Sequence, residues 1–185
     1  MRIHPLPTLL AALLLAACAT NPTVHSVAAP GFSTAGKSTF RILPVPAAGN
    51  GVTLGENDPM LVNSITNRAL MNDISQALMA RGYRPAAAGT QADFDVAAYA
   101  TANQALDIST FDYGYTWRGW PRQYTEVNTY EKGTVIVDLV DPNTHQLLWR
   151  GQGVAAVSEN PQRFMDEMAR VVNSVVSKLP PAGTP

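Results

Sequence analysis

Gly31-Phe32-Ser33-Thr34-Ala35-Gly36-Lys37-Ser38 fits the G-x-x-x-x-G-K-[ST] pattern of a phosphate-binding loop in full. Such a loop cradles phosphate with backbone N–H groups, and it works between a strand and a helix whose N-terminus faces the anion. Val135-Ile136-Val137-Asp138 even supplies an apolar run ending in an Asp of the kind that holds magnesium. The surroundings do not suit that chemistry. Val24 to Pro30 reads as irregular chain rich in small residues, and Pro44 and Pro46 after Phe40-Arg41-Ile42-Leu43 forbid a helix. The segment is read as small-residue chain entering a strand, and no nucleotide partner is expected.

Other reactive groups are sparse. His25 lies in irregular chain and His145 in a turn, so no pair has metal-ligand spacing and no nucleophile triad is apparent. Three carboxylate pairs, Asp93/Asp95, Asp138/Asp141 and Asp166/Glu167, have the composition for acid–base work. Each reads more simply as a strand edge, a turn former or a helix surface. Asp138 stands out because it interrupts an apolar strand; a partner for it is Arg150, if the hairpin register brings the two opposite each other. Neither catalytic residue, metal nor cofactor is expected.

The lone Cys18 excludes an internal disulfide and a multi-cysteine zinc site. It ends Leu15-Ala16-Ala17-Cys18, which follows a short basic start and the apolar stretch Leu6 to Leu15, the layout of an export signal. That stretch is far below the ~20 residues of a membrane-spanning helix. The tetrapeptide resembles a bacterial lipobox, which implies acylation of the Cys18 thiol, cleavage before it, and a palmitate-type anchor on the mature N-terminus. Two or more chains hold stably, at ~0.8 kcal/mol per buried CH₂. Ala19 in place of Asp implies outer-membrane sorting by the same resemblance. Removal of Arg2 from 13 basic residues, against 14 acidic ones, moves the net charge only from −1 to −2. The net charge therefore gives no global field for nucleic acid or anionic lipid.

Half of the aromatic residues crowd between Asp107 and Tyr130. Phe111, Tyr113, Tyr115 and Trp117 alternate, so an extended strand would put all four rings on one face, with Trp120 and Tyr124 following a turn at Arg118-Gly119. One reading is a binding platform, since aromatic faces stack on sugars and dominate protein interfaces. Peptidoglycan glycan or an envelope protein would be its partner. The other reading is that these rings cover the open face of a sheet.

The elements that must position these groups follow from periodicity. The 185 residues are 46% hydrophobic and only 15% charged, against ~25% charged in an average domain. Residues 1–17 are the signal peptide, 18–36 the lipidated Cys and a flexible tether, 37–179 a single domain, and 180–185 a tail. A flexible 18-residue tether spans about 24 Å. Phe40 to Leu43 makes a strand. A helix is expected from Met60 to Arg81, with Asp58 as N-cap, Gly82 as stop and Leu70, Ile74, Ala77 and Leu78 on its buried face. A second is expected from Gln162 to Leu179, capped by Asn160 with Pro161 at its first position. Asp93 to Leu106 alternates as a strand. Gly133 to Val140 and Gln146 to Val157 form a hairpin about Asp141-Pro142-Asn143-Thr144-His145. The fold class is α+β, a two-layer sandwich with a mostly antiparallel sheet of about four or more strands and two helices on one face. The first strand–helix–strand unit suits a right-handed parallel crossover.

The whole constellation resembles the bacterial lipoproteins of domain of unknown function family 4136. The resemblance rests on the lipobox, on Phe40-Arg41-Ile42-Leu43-Pro44, on Leu78-Met79-Ala80-Arg81-Gly82-Tyr83, on Tyr113 to Trp120, and on Tyr130 to Gly151 with Glu131-Lys132-Gly133-Thr134, Asp141-Pro142 and Trp149-Arg150. It covers about Lys37 to Leu179 and carries no catalytic residue with it. The expected protein is a non-enzymatic lipoprotein, anchored to the outer membrane and facing the periplasm, which binds or scaffolds an envelope component. A periplasmic hydrolase with a carboxylate site, and a purely structural domain, are the alternatives.

Overall fold

The computed structural model describes residues 22–43, 65–100, 106–108, 128–130, 133–154, 156, 158 and 160–184. Strands β1 (Val24–Ala28), β2 (Thr39–Ile42), β3 (Arg84–Pro85), β4 (Phe94–Ala100), β7 (Thr134–Val140) and β8 (Leu147–Val154) form one sheet in the order β1-β8-β7-β4-β2-β3. Two short strands, β5 (Leu106–Ile108) and β6 (Asn128–Tyr130), pair separately and antiparallel. Helices α1 (Ile65–Ala80) and α2 (Pro161–Val176) lie together on one face. The α+β sandwich is as expected, with a mixed sheet: β2 runs parallel to β3 and β4, and all other pairings are antiparallel.

The period of two along β4 and β7 builds the core. Phe94, Val96, Ala98 and Ala100 face the helices beside Val135, Val137 and Leu139, and all are buried. α1 answers with Leu70, Ile74, Ala77 and Leu78, and α2 with Met168, Val171, Val172, Val175 and Val176. α1 ends where Gly82 takes φ 88° and Tyr83 N–H donates back to the Leu78 carbonyl. Its expected first turn, from Met60, and the Asp58 cap lie outside the described residues. At α2 the Asn160 carboxamide accepts from Arg163 N–H, and Pro161 occupies the first turn, as expected. α2 packs directly over Gly151 and Gly153 of β8. A Cβ on Gly151 would lie 2.4 Å from Trp149 and 2.6 Å from Val175.

The hairpin forms in the expected place. Asp141 accepts from the N–H groups of Asn143 and Thr144, and His145 takes φ 58°. Leu139 faces Trp149 and Val140 faces Leu147, so the register shifts by one residue there.

Two boundaries differ from expectation. The segment read as tether contains β1, which pairs with β8 from Val24 opposite Gly153 to Ala28 opposite Trp149. Beyond it Thr34 is fully buried, and its hydroxyl bonds to the carbonyls of Pro181 and Thr184, 2.9 Å each. The segment read as a loose tail is thereby tied down. Gly183 N–H donates to Thr34 and Lys37, Ala182 N–H donates to Arg81, the Arg81 guanidinium donates to Leu179 and Tyr83 Oη to Pro180. β1 escaped the sequence reading because its partner is remote and its own residues, Val-His-Ser-Val-Ala, bury no continuous side.

Candidate functional site

The face of the sheet opposite the helices carries charge. Arg41 on β2, Asp95 on β4, Asp138 on β7 and Arg150 on β8 all point away from the apolar core, by strand alternation. Their registers bring them together: Arg41 lies opposite Asp95 and Asp138 lies opposite Arg150. Asp95 and Asp138 stand on neighbouring strands, since Ala97 faces Asp138 and Asp95 is two residues before it. The result is a row, Arg–Asp–Asp–Arg, across four adjacent strands.

Both pairs are bidentate. Arg150 Nε donates to Asp138 Oδ1 at 2.7 Å and its Nη2 to Oδ2 at 2.8 Å. Arg41 Nε donates to Asp95 Oδ1 at 2.8 Å and its Nη2 to Oδ2 at 2.7 Å. Both carboxylates are 0% exposed, whereas the Arg150 side chain is 13% exposed and that of Arg41 48%. A carboxylate stripped of water needs such a fork, because an uncompensated buried charge is costly. Their neighbours Tyr99, Ile136 and Val140 on this face are buried too, so both faces of β4 and β7 are shut off from solvent.

The expected Asp138–Arg150 pair is therefore present. The Asp95–Arg41 pair was missed, and the reading of Asp95 as a strand-edge residue is corrected: it is fully buried on an inner strand of the sheet. The signal was available, since Phe40-Arg41-Ile42 and Phe94-Asp95-Val96 each place a charge between apolar residues. The other carboxylates have local duties. Asp93 Oδ2 accepts from Ser38 N–H, Thr39 N–H and Thr39 Oγ1. Burial pushes the Asp93 carboxyl up, but these bonds and Lys37 outweigh it and leave its pKa below the ordinary value. Asp141 behaves alike: burial raises it, and the turn N–H groups of Thr144 and Asn143 bring it down overall. Asp166 accepts from Gln162, and Glu167 pairs with Arg170 on the same helix.

Gly31 to Ser38 runs from β1 into β2, so a strand and not a helix follows the Lys37-Ser38 pair. The Lys37 ammonium lies 5.1 Å from the Phe94 ring centre. Among the described residues, no three His, Cys, Asp or Glu side chains group as a metal site, and no helix is long and apolar enough to cross a membrane. A surface groove of about 590 Å³ lies beside β2 and β3, between Ile42, Ser75 and residues 85–91; its charged lining residue, Arg41, is committed to Asp95. Cys18 and the aromatic residues Phe111, Tyr113, Tyr115, Trp117, Trp120 and Tyr124 lie outside the described residues.

Comparison with known proteins places this architecture. A DUF4136 family protein from Bacteroides thetaiotaomicron aligns over 85% of this chain and 95% of its own, at 14% identity and a TM-score of 0.54. A PelC dodecamer from Paraburkholderia phytofirmans aligns at 12% identity over 87% of this chain and 98% of its own, with a TM-score of 0.48. A PDZ domain protein from Parabacteroides distasonis aligns at 13% identity over 85% of this chain and 35% of its own, with a TM-score of 0.49. No curated protein matches the chain. The family model described as Domain of unknown function (DUF4136) matches residues 27–181, and the chain belongs to that family.

Proposed function

We propose that this protein is a lipoprotein of the outer membrane whose domain faces the periplasm and serves as a non-enzymatic binding or scaffolding module of the envelope. The observation that carries the non-enzymatic half is the state of Asp138. It is the carboxylate best suited by sequence to catalysis, yet it is fully buried and held on both oxygens by Arg150. A general acid or base must reach its substrate's proton; a carboxylate gripped in this way braces two strands. The lipoprotein half rests on Cys18, the only cysteine, at the end of the lipobox-like tetrapeptide. Binding is assigned to Phe111, Tyr113, Tyr115, Trp117, Trp120 and Tyr124, with an envelope protein or peptidoglycan glycan as partner.

Metabolic labelling with an alkyne fatty acid tests the anchor. The wild type is expected to take the label and to sediment with outer membranes. Cys18→Ser is expected to lose the label and leave the membrane fraction, and an unlabelled wild type overturns the assignment. For the aromatic surface, Trp117→Ala with Trp120→Ala is expected to abolish capture of the envelope component at nearly unchanged thermal stability. A large fall in Tm would instead identify these rings as packing.

A further inference from the structure

β1 shortens the reach of the anchor. Val24 is fixed opposite Gly153, so only six peptide steps separate it from Cys18. Fully extended, six residues span about 20 Å at 3.3–3.6 Å each, and relaxed they span about 13 Å. The far turn of the sheet lies beyond Leu147, itself six residues along β8 from Gly153, or about 20 Å at ~3.3 Å per residue. A stretched leash thus barely matches the sheet's length, and a relaxed one falls well short of it.

The elements at the near end follow from the pairings. β1 begins there, β8 ends there at Val154, opposite Thr134 at the start of β7, and β4 ends there with Ala100 opposite Val135, so the chain that carries β5 and β6 leaves and re-enters the sheet at this end. α2 begins there too. Gly151 packs against Val175 and Gly153 against Val171, so the helix runs antiparallel to β8 and its first turn overhangs Val154. Val154 is 42% exposed. Pro161, Gln162 and Arg163 on the first turn of α2 are exposed, and Arg163 suits an anionic headgroup. The opposite end holds the Asp141–Gln146 turn, the Thr34 clasp on the C-terminal segment, and Asp93.

We propose that the end of the domain formed by the start of β1, Val154 and the first turn of α2 lies against the lipid surface, and that the hairpin turn and clasp point away from it. This rests on the lipoprotein reading and adds which face meets the bilayer. The short leash sets the orientation: bringing the turn to the surface would require the domain to invert with the leash fully drawn out.

Full-length protein, processed and purified from membranes, supplies the test. Cys18 is the only native cysteine, so Gln162→Cys and Gln146→Cys, both at exposed positions, each give one site for a fluorophore. The labelled proteins are placed in phosphatidylethanolamine–phosphatidylglycerol vesicles carrying headgroup spin-labelled lipid, and acylation is read separately by intact mass. Quenching at position 162 is expected to be severalfold stronger than at 146. Equal quenching, or stronger quenching at 146, in protein of confirmed acylation overturns the orientation and leaves the anchor standing. Protein that carries no acyl group overturns both.

Discussion

Asp138 shows how one residue's duty depends on what surrounds it. On an apolar strand it has the look of a reactive carboxylate, but in the sheet it is a brace with both oxygens held by Arg150. Removing one partner of a buried pair leaves the other charge uncompensated, at a cost of about 3–5 kcal/mol. Asp138→Ala is therefore expected to lower the unfolding free energy by about that amount in urea titrations. The pair was legible in the sequence because twelve residues and a tight turn separate its members, so the hairpin alone sets the register. Asp95 and Arg41 are 54 residues apart, and their meeting depends on a helical crossover between parallel strands, which no local pattern specifies. Asp93 and Asp141 bear on pH. Each has a folded pKa below its ordinary value near 3.8. Stability from such groups is complete above the unfolded pKa and lost as pH falls through the folded one. Urea midpoints are expected to fall below about pH 4, with a shallower fall in Asp93→Asn.

At the scale of the element, the contact between α2 and β8 depends on two glycines without side chains. Alanine at Gly151 would put its Cβ into the Trp149 ring and the Val175 methyl. Overpacking of this kind typically costs about 1–3 kcal/mol. Gly151→Ala is expected to lower Tm by several degrees, as calorimetry would show, and Val175→Ala in the same chain to restore part of the loss. Asn160→Ala removes the cap that accepts from Arg163 N–H, at about 1 kcal/mol. α2 was readable because its stripe repeats every 3.6 residues and its cap and proline stand in sequence next to it. The hairpin was readable because its turn residues lie between the β-branched run of β7 and the apolar Leu147-Leu148-Trp149 that opens β8. β1 had neither signal. Its five residues are stabilised by a ladder to β8, more than a hundred residues later, and edge strands of mixed polarity do not declare themselves locally.

For the whole molecule, β1 and the Thr34 clasp move both ends of the folded unit outward. A chain beginning at Pro22 is expected to unfold cooperatively with the stability of the full-length chain. A chain beginning at Lys37 is expected to be markedly less stable, because it loses the β1 ladder and the buried Thr34 bonds; denaturation followed by circular dichroism distinguishes the two. What depends on neighbours along the chain was legible in the residues alone: the lipobox-like end at Cys18, the two amphipathic helices, and the hairpin with its Asp138–Arg150 pair. What depends on distant partners emerged only in the folded chain. Folding turned part of an expected tether into a strand, tied the tail to Thr34, paired Arg41 with Asp95, and left five residues between Cys18 and β1 where a tether of eighteen was expected. The physical reason is the same in each case: backbone hydrogen bonds and buried charges are satisfied in space, and a sequence pattern reports only those partners that its own period or a short turn brings together.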